Sequence, residues 1–184
     1  MKQGGTGGAN TGSGLIFEDK ADLFSTFNAT PGYSIRPRAT NDGSEVLYEL
    51  EPVALCFKKH QFYKYLEAQG VAWKDVLSKR LLPDNALLVI FHNTLFIIEV
   101  KYQAVEGSVD EKLQTCDFKR KQYTKLVKPL NLRVEYVYVL NDWFKQDKYA
   151  DTLEYIKNVG CSYWFQEIPL SWLGLPVADE VESQ

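Results

Sequence analysis

The chain has 184 residues, 45% of them hydrophobic and 14% aromatic, with a formal net charge of −3. That is enough chain for one sizeable core and one domain, and no apolar run nears the roughly 20 residues that a membrane span needs. The opening "MKQGGTGGANTGSG" has no apolar signal segment, so a soluble, cytoplasmic protein without membrane contact is expected.

The acidic total argues mildly against holding nucleic acid by bulk charge alone. It conceals two basic stretches, Lys58 to Arg80 and Lys112 to Arg133, that can build a local basic surface. Three widely spaced cysteines (Cys56, Cys116, Cys161) and only two histidines (His60, His92) speak against a zinc site or a disulfide framework. The thiols read as buried packing groups.

Residues 1–14 are Gly-rich and polar and read as a flexible arm; they lack the Gly-Lys-Ser/Thr of a phosphate loop. Ser13 can cap one amphipathic helix that carries Glu18 and stops at Pro31-Gly32. "EVLYELEPVALCFKK" alternates like a strand or hairpin. "HQFYKYLEAQG" is a helix ending at Gly70, and "AWKDVLSKRLL" is a second short helix that stops before Pro83. "NALLVIF" and "TLFIIEVKYQ" form an antiparallel hairpin around His92-Asn93. A capping box, Ser108 with Glu111, opens a helix over about 109–128. "LRVEYVYVL" is a strand, "YADTLEYIKNVG" a helix, "CSYWFQ" a last strand and "PLSWLGLP" a turn of helix. Trp143, Trp164 and Trp172 read as packing residues. The pattern predicts an α/β protein with a central mixed β-sheet flanked by helices.

Side chains alternate along a strand, so Glu99, Lys101 and Gln103 share the face of Leu95 and Ile97, at the rim where the core gives out. An isolated pair of this kind is an ordinary strand-end charge pair. Asp84 changes that reading, because hairpin pairing brings it beside Glu99 to Lys101. Two close carboxylates repel unless a cation lies between them. Oxygen ligands suit Mg²⁺, and a neighbouring lysine suits activation of water beside a phosphate.

Pro83-Asp84, fourteen residues, then Glu99-Val100-Lys101 resembles the signature of the PD-(D/E)XK nuclease superfamily, most of all type II restriction endonucleases. The resemblance runs from about Gly12 to Leu140. It implies a restriction-endonuclease-like domain over 15–176, followed by an acidic tail over 177–184. It implies Mg²⁺, with Mn²⁺ as substitute, held by Asp84, Glu99 and the Val100 carbonyl, with Glu18 on a preceding helix as a further acid. Lys101 would position or deprotonate the attacking water. Gln103, Lys119 and Gln122 would contact phosphates, with Gln114 a further candidate on the same helical stretch. The implied activity is cleavage of double-stranded DNA by a homodimer, one site per strand.

Three alternatives stay open on the sequence. One is a structure-specific repair or junction-resolving nuclease of the same fold. Another is a non-catalytic DNA-binding module. The last is an α/β protein whose acidic pair is a plain surface feature.

Overall fold

The alternating segments form seven strands: β1 (Tyr33–Pro37), β2 (Ser44–Tyr48), β3 (Glu51–Lys58), β4 (Asn85–Val89), β5 (Thr94–Lys101), β6 (Arg133–Leu140) and β7 (Ser162–Phe165). This computed structural model describes residues 12–177, without the side chains of Glu18, Asp19, Lys20 and Asp110. The strands lie in one sheet in chain order. Neighbours from β1 to β5 are antiparallel, whereas β5, β6 and β7 run parallel. The expected α/β class with a mixed, helix-flanked sheet is what forms.

Connection lengths follow the strand directions. Antiparallel neighbours need only turns. Glu49 and Leu50, both at positive φ, make the β2–β3 turn, and a 3-10 turn at Ile90–His92 with left-handed Asn93 joins β4 to β5. Parallel neighbours need crossovers. Helices α5 (Val109–Leu113) and α6 (Cys116–Val127) carry the chain from β5 to β6, and α7 (Ala150–Asn158) leads from β6 to β7.

Burial separates the faces by strand parity. Phe57, Leu88, Ile97, Tyr136 and Tyr138 pack on one side with α6, α7 and α3 (His60–Ala68). Val46, Leu87, Ile98, Val137 and Val139 pack on the other with α1 (Gly12–Lys20), α2 (Leu23–Ala29) and Leu173. Both β4 and β5 are lined by core on each side, so their residues set rigid positions for whatever follows them. All three cysteines are free and buried, and burial pushes the Cys56 thiol up to about 12.

Several expected elements differ. The single N-terminal helix is two helices, broken at Asp22, which is extended and pairs with Lys58 at 2.8 Å. Helix α1 begins at Gly12, so Ser13 and Gly14 lie inside it and not in the arm. The arm up to residue 11 and the tail from 178 lie outside the described residues. The short strand β1 has no apolar run to announce it. "AWKDVLSKRLL" keeps one helical turn, α4 (Trp73–Val76). "PLSWLGLP" is a set of turns in which Trp172 meets Phe96 and Trp164 edge-on.

The helix expected over 109–128 breaks at Gln114-Thr115, and Ser108 makes no side-chain cap. The cause is a buried phenol. Tyr138 donates to the Lys112 and Leu113 carbonyls, and Thr115 Oγ1 donates to Lys112 as well, so these carbonyls turn to donors outside the helix ladder at the break.

Candidate active site

Asn85 pairs with Ile98 across the β4–β5 ladder. Asp84, one residue earlier, therefore stands level with the end of β5, and its Oδ2 accepts the Val100 N–H at 3.0 Å. The loop that delivers Asp84 is pinned from behind. Tyr63 and Tyr123 both donate to the Leu81 carbonyl, at 3.0 and 2.9 Å, and the Leu81 N–H returns to Tyr63 Oη.

Alternation along β5 sends Leu95 and Ile97 into the core and leaves Glu99 at its edge. Glu99 is a buried carboxylate, 5% exposed. Lys119 from α6 lies 2.7 and 2.8 Å from its two oxygens. The Lys101 ammonium lies 2.9 Å from Glu99 Oε2, 3.2 Å from the Val100 carbonyl and 3.7 Å from Asp84 Oδ2. One cation thus touches both carboxylates and the carbonyl between them. These are the three groups that the resemblance assigns to Mg²⁺.

Burial opposes charge on Glu99, but the Lys101 and Lys119 ammoniums outweigh it and hold the carboxyl below its usual range. Parallel pairing sets Tyr138 opposite Glu99 and Tyr136 opposite Ile97, on the same face. Burial, then the Glu99 charge, pushes the phenols of Tyr123, Tyr136 and Tyr138 upward, so they stay neutral. The Tyr136 hydroxyl is buried under this cluster, beside Glu99 and Tyr138.

An all-oxygen set centred on a positive group fits a hard divalent cation. Among the described residues, no three His, Cys, Asp or Glu side chains gather as a metal cluster. The described donor set is therefore two carboxylates and one carbonyl. The carboxylate of Glu18 lies outside the described side chains, though its residue lies on α1.

The remaining candidates scatter. Strand β5 ends at Lys101, so the alternation that placed Gln103 beside Glu99 stops short of it. Gln103 is buried and donates to the Val105 and Gly107 carbonyls. Its own backbone is clamped by Asn141, which accepts its N–H at 3.1 Å and donates to its C=O at 2.8 Å. This is a loop anchor. Lys119 reaches the cluster, but through Glu99. Gln122, half-buried, follows one helical turn later. Gln114, at the helix break, lines a separate groove with Asp151, Thr152 and Tyr155.

Sequence reasoning missed Asn141 and the tyrosines that shape the site. "EYVYV" does carry a signal, since Tyr136 and Tyr138 share a face by period two. Only the β5–β6 register shows that this face is that of Glu99. A cleft of ≈ 430 Å³ adjoins the cluster, with Asp84 and Val100 on its border and Lys58, Lys59 and Asn85 in its wall.

No family model, no curated protein and no solved structure matches this chain.

Proposed function

We propose that this chain is a Mg²⁺-dependent endonuclease of the PD-(D/E)XK kind that hydrolyses phosphodiester bonds in double-stranded DNA, in the manner of a type II restriction enzyme acting as a homodimer. The observation that carries the reading is the single ammonium of Lys101 within reach of Asp84, Glu99 and the Val100 carbonyl. A strand-end charge pair needs no second acid from a neighbouring strand.

Asp84, Glu99 and Val100 would hold Mg²⁺, or Mn²⁺ in its place, with Glu18 as a further acid. When bound, the ion supplies a Lewis acid for the phosphoryl oxygen and lowers the pKa of water. The chain's own groups do the rest. Lys101, released from the carboxylates, would orient the attacking water as a hydrogen-bond donor, and would take that water's proton only as the neutral amine, its own proton having first left to solvent. The ionised state of Glu99 is secured by two ammoniums, so it is ready as a ligand at neutral pH. Lys119, displaced from Glu99, balances charge on the phosphate, with Gln122 beside it. The Val100 N–H fixes Asp84 Oδ2, the oxygen that also lies 3.7 Å from the Lys101 ammonium, and so sets the carboxylate at the site.

Incubating the purified chain with phage DNA and Mg²⁺, then separating the products on a gel, tests the reading. Discrete fragments are expected. Cleavage confined to branched DNA would favour the structure-specific alternative, and intact DNA of every form with Mg²⁺ or Mn²⁺ would overturn the nuclease reading.

A further inference from the structure

The β5–β6 ladder has its last pair at Lys101 and Leu140, yet the chain beyond that pair is still held. In a parallel ladder a residue donates its N–H to one residue of the neighbouring strand. Its C=O then accepts from the residue two positions further along that strand. Asn141 makes the first of these bonds, to the Lys101 carbonyl at 3.4 Å. Its own carbonyl is diverted from the second. It accepts the Phe144 N–H at 3.2 Å as the chain turns into the 3-10 segment Asp142–Lys145. The side chain takes over. Asn141 Oδ1 accepts the Gln103 N–H at 3.1 Å, and Nδ2 donates to the Gln103 C=O at 2.8 Å.

Pairing therefore runs on past the end of the sheet through one carboxamide. That group suits the task because it carries an acceptor and donors together, whereas a carboxylate has no donor. The two side-chain bonds are shorter than the 3.4 Å backbone bond, so they supply the firmer hold on this stretch. Gln103 passes the hold onward, since its buried side chain donates to the Val105 carbonyl at 2.9 Å. Lys101 stands between the end of the ladder and this clamp. Its ammonium lies 2.9 Å from Glu99 and 3.7 Å from Asp84, at the end of a flexible four-carbon stem. Such a stem repeats one position only when the backbone that bears it is fixed.

The geometry points to Asn141 as a positioning residue: its carboxamide fixes the backbone from which Lys101 reaches between Asp84 and Glu99, and so sets where that ammonium meets the attacking water. Asn141 acts through Lys101. Its effect on rate rests on the nuclease reading of the cluster, whereas its hold on Lys101 can be measured without cleavage.

The experiment compares the wild type, Asn141→Ala and Asn141→Asp. Heteronuclear NMR of the lysine ammonium groups reads Lys101, with Lys119 as internal reference, because Lys119 reaches Glu99 from α6 and not from the clamped stretch. Asn141→Ala should lose the slowly exchanging Lys101 signal and keep that of Lys119. Its single-turnover cleavage rate should fall about 10- to 100-fold, as for a displaced catalytic group, with duplex affinity in Ca²⁺ unchanged. Asn141→Asp keeps the acceptor for the Gln103 N–H and loses the donor, so its Lys101 signal and rate should lie between the two. A Lys101 signal untouched in both variants would overturn the assignment. So would joint loss of the Lys101 and Lys119 signals in both, or a fall in affinity that matches the fall in rate, since each is general loosening. A wild type that cuts no DNA would remove the nuclease reading, and the two ammonium signals would still decide whether Asn141 holds Lys101.

Discussion

Two buried carboxylates sit at opposite ends of this molecule's needs. Asp42, in the loop between β1 and β2, is 2% exposed, and Glu99 is 5% exposed. Burial opposes charge on both, and neighbouring donors hold both below the usual carboxyl range. The donors differ in kind. Asp42 is held within its own turn through one oxygen, Oδ1, by the Thr40 hydroxyl and by Arg38 at 2.9 Å, while its buried Oδ2 has no partner among the described residues. Gly43 closes that turn at φ +122°, where a Cβ would come 2.6 Å from the Phe57 ring. Glu99 draws its partners from another helix and from its own strand, as flexible ammoniums, with a second acid alongside. A local, rigid shell drawn from a single turn marks an acid that holds a fold. A shell of long, displaceable cations marks an acid that can exchange them for another charge.

The largest effect that would test this contrast is on catalysis. Lys101→Ala should lower the cleavage rate by about 10³-fold or more, within the range for loss of a positioned proton acceptor. Duplex affinity in Ca²⁺ should stay close to wild type. Asp42→Asn should leave cleavage within a few-fold, read by the same gel assay. A matching loss at both positions would erase the distinction.

Stability comes next. Asp42→Ala strands the Arg38 guanidinium and should cost about 2 kcal/mol, measured as a lower urea midpoint. Because the folded-state pKa of Asp42 is depressed, its contribution is fully present above the unfolded carboxyl range, near pH 4, and fades as pH falls through the lower folded value. Asp42→Asn should therefore flatten part of the acid limb of a stability–pH curve. Glu99, depressed in the same direction, should account for a further part in Glu99→Gln.

The smallest effects concern delivery of Asp84. Tyr63→Phe and Tyr123→Phe each remove a hydroxyl from the Leu81 carbonyl and should cost about 1 kcal/mol apiece. If the loop matters to the site, the rate should fall several-fold in the double variant while duplex affinity holds.

The hairpin and its acids were legible because period-two patterning survives in both strands and a turn of a few residues fixes their register. Once Asn85 faces Ile98, the position of Asp84 follows. The break at Gln114-Thr115 was not legible, because its cause is a phenol from β6, far away in sequence. Gln103 misled for a related reason. Alternation holds only while the strand lasts, and where β5 stops is decided by Asn141, whose carboxamide imitates a pairing strand. Lys59, at φ +43°, has no signature in residue type at all, since the usual occupants of positive φ are glycine and asparagine.

The seven strands lie side by side in the order in which they are synthesised. A chain emerging from the ribosome can therefore add each strand to the last without waiting for a distant partner. Asp84, Glu99 and Lys101 meet as soon as one short hairpin closes, so the acids gain a counter-charge from their own hairpin whether or not α6 has docked. The assembly of this centre needs only local chain closure, and α6 arrives as a later reinforcement.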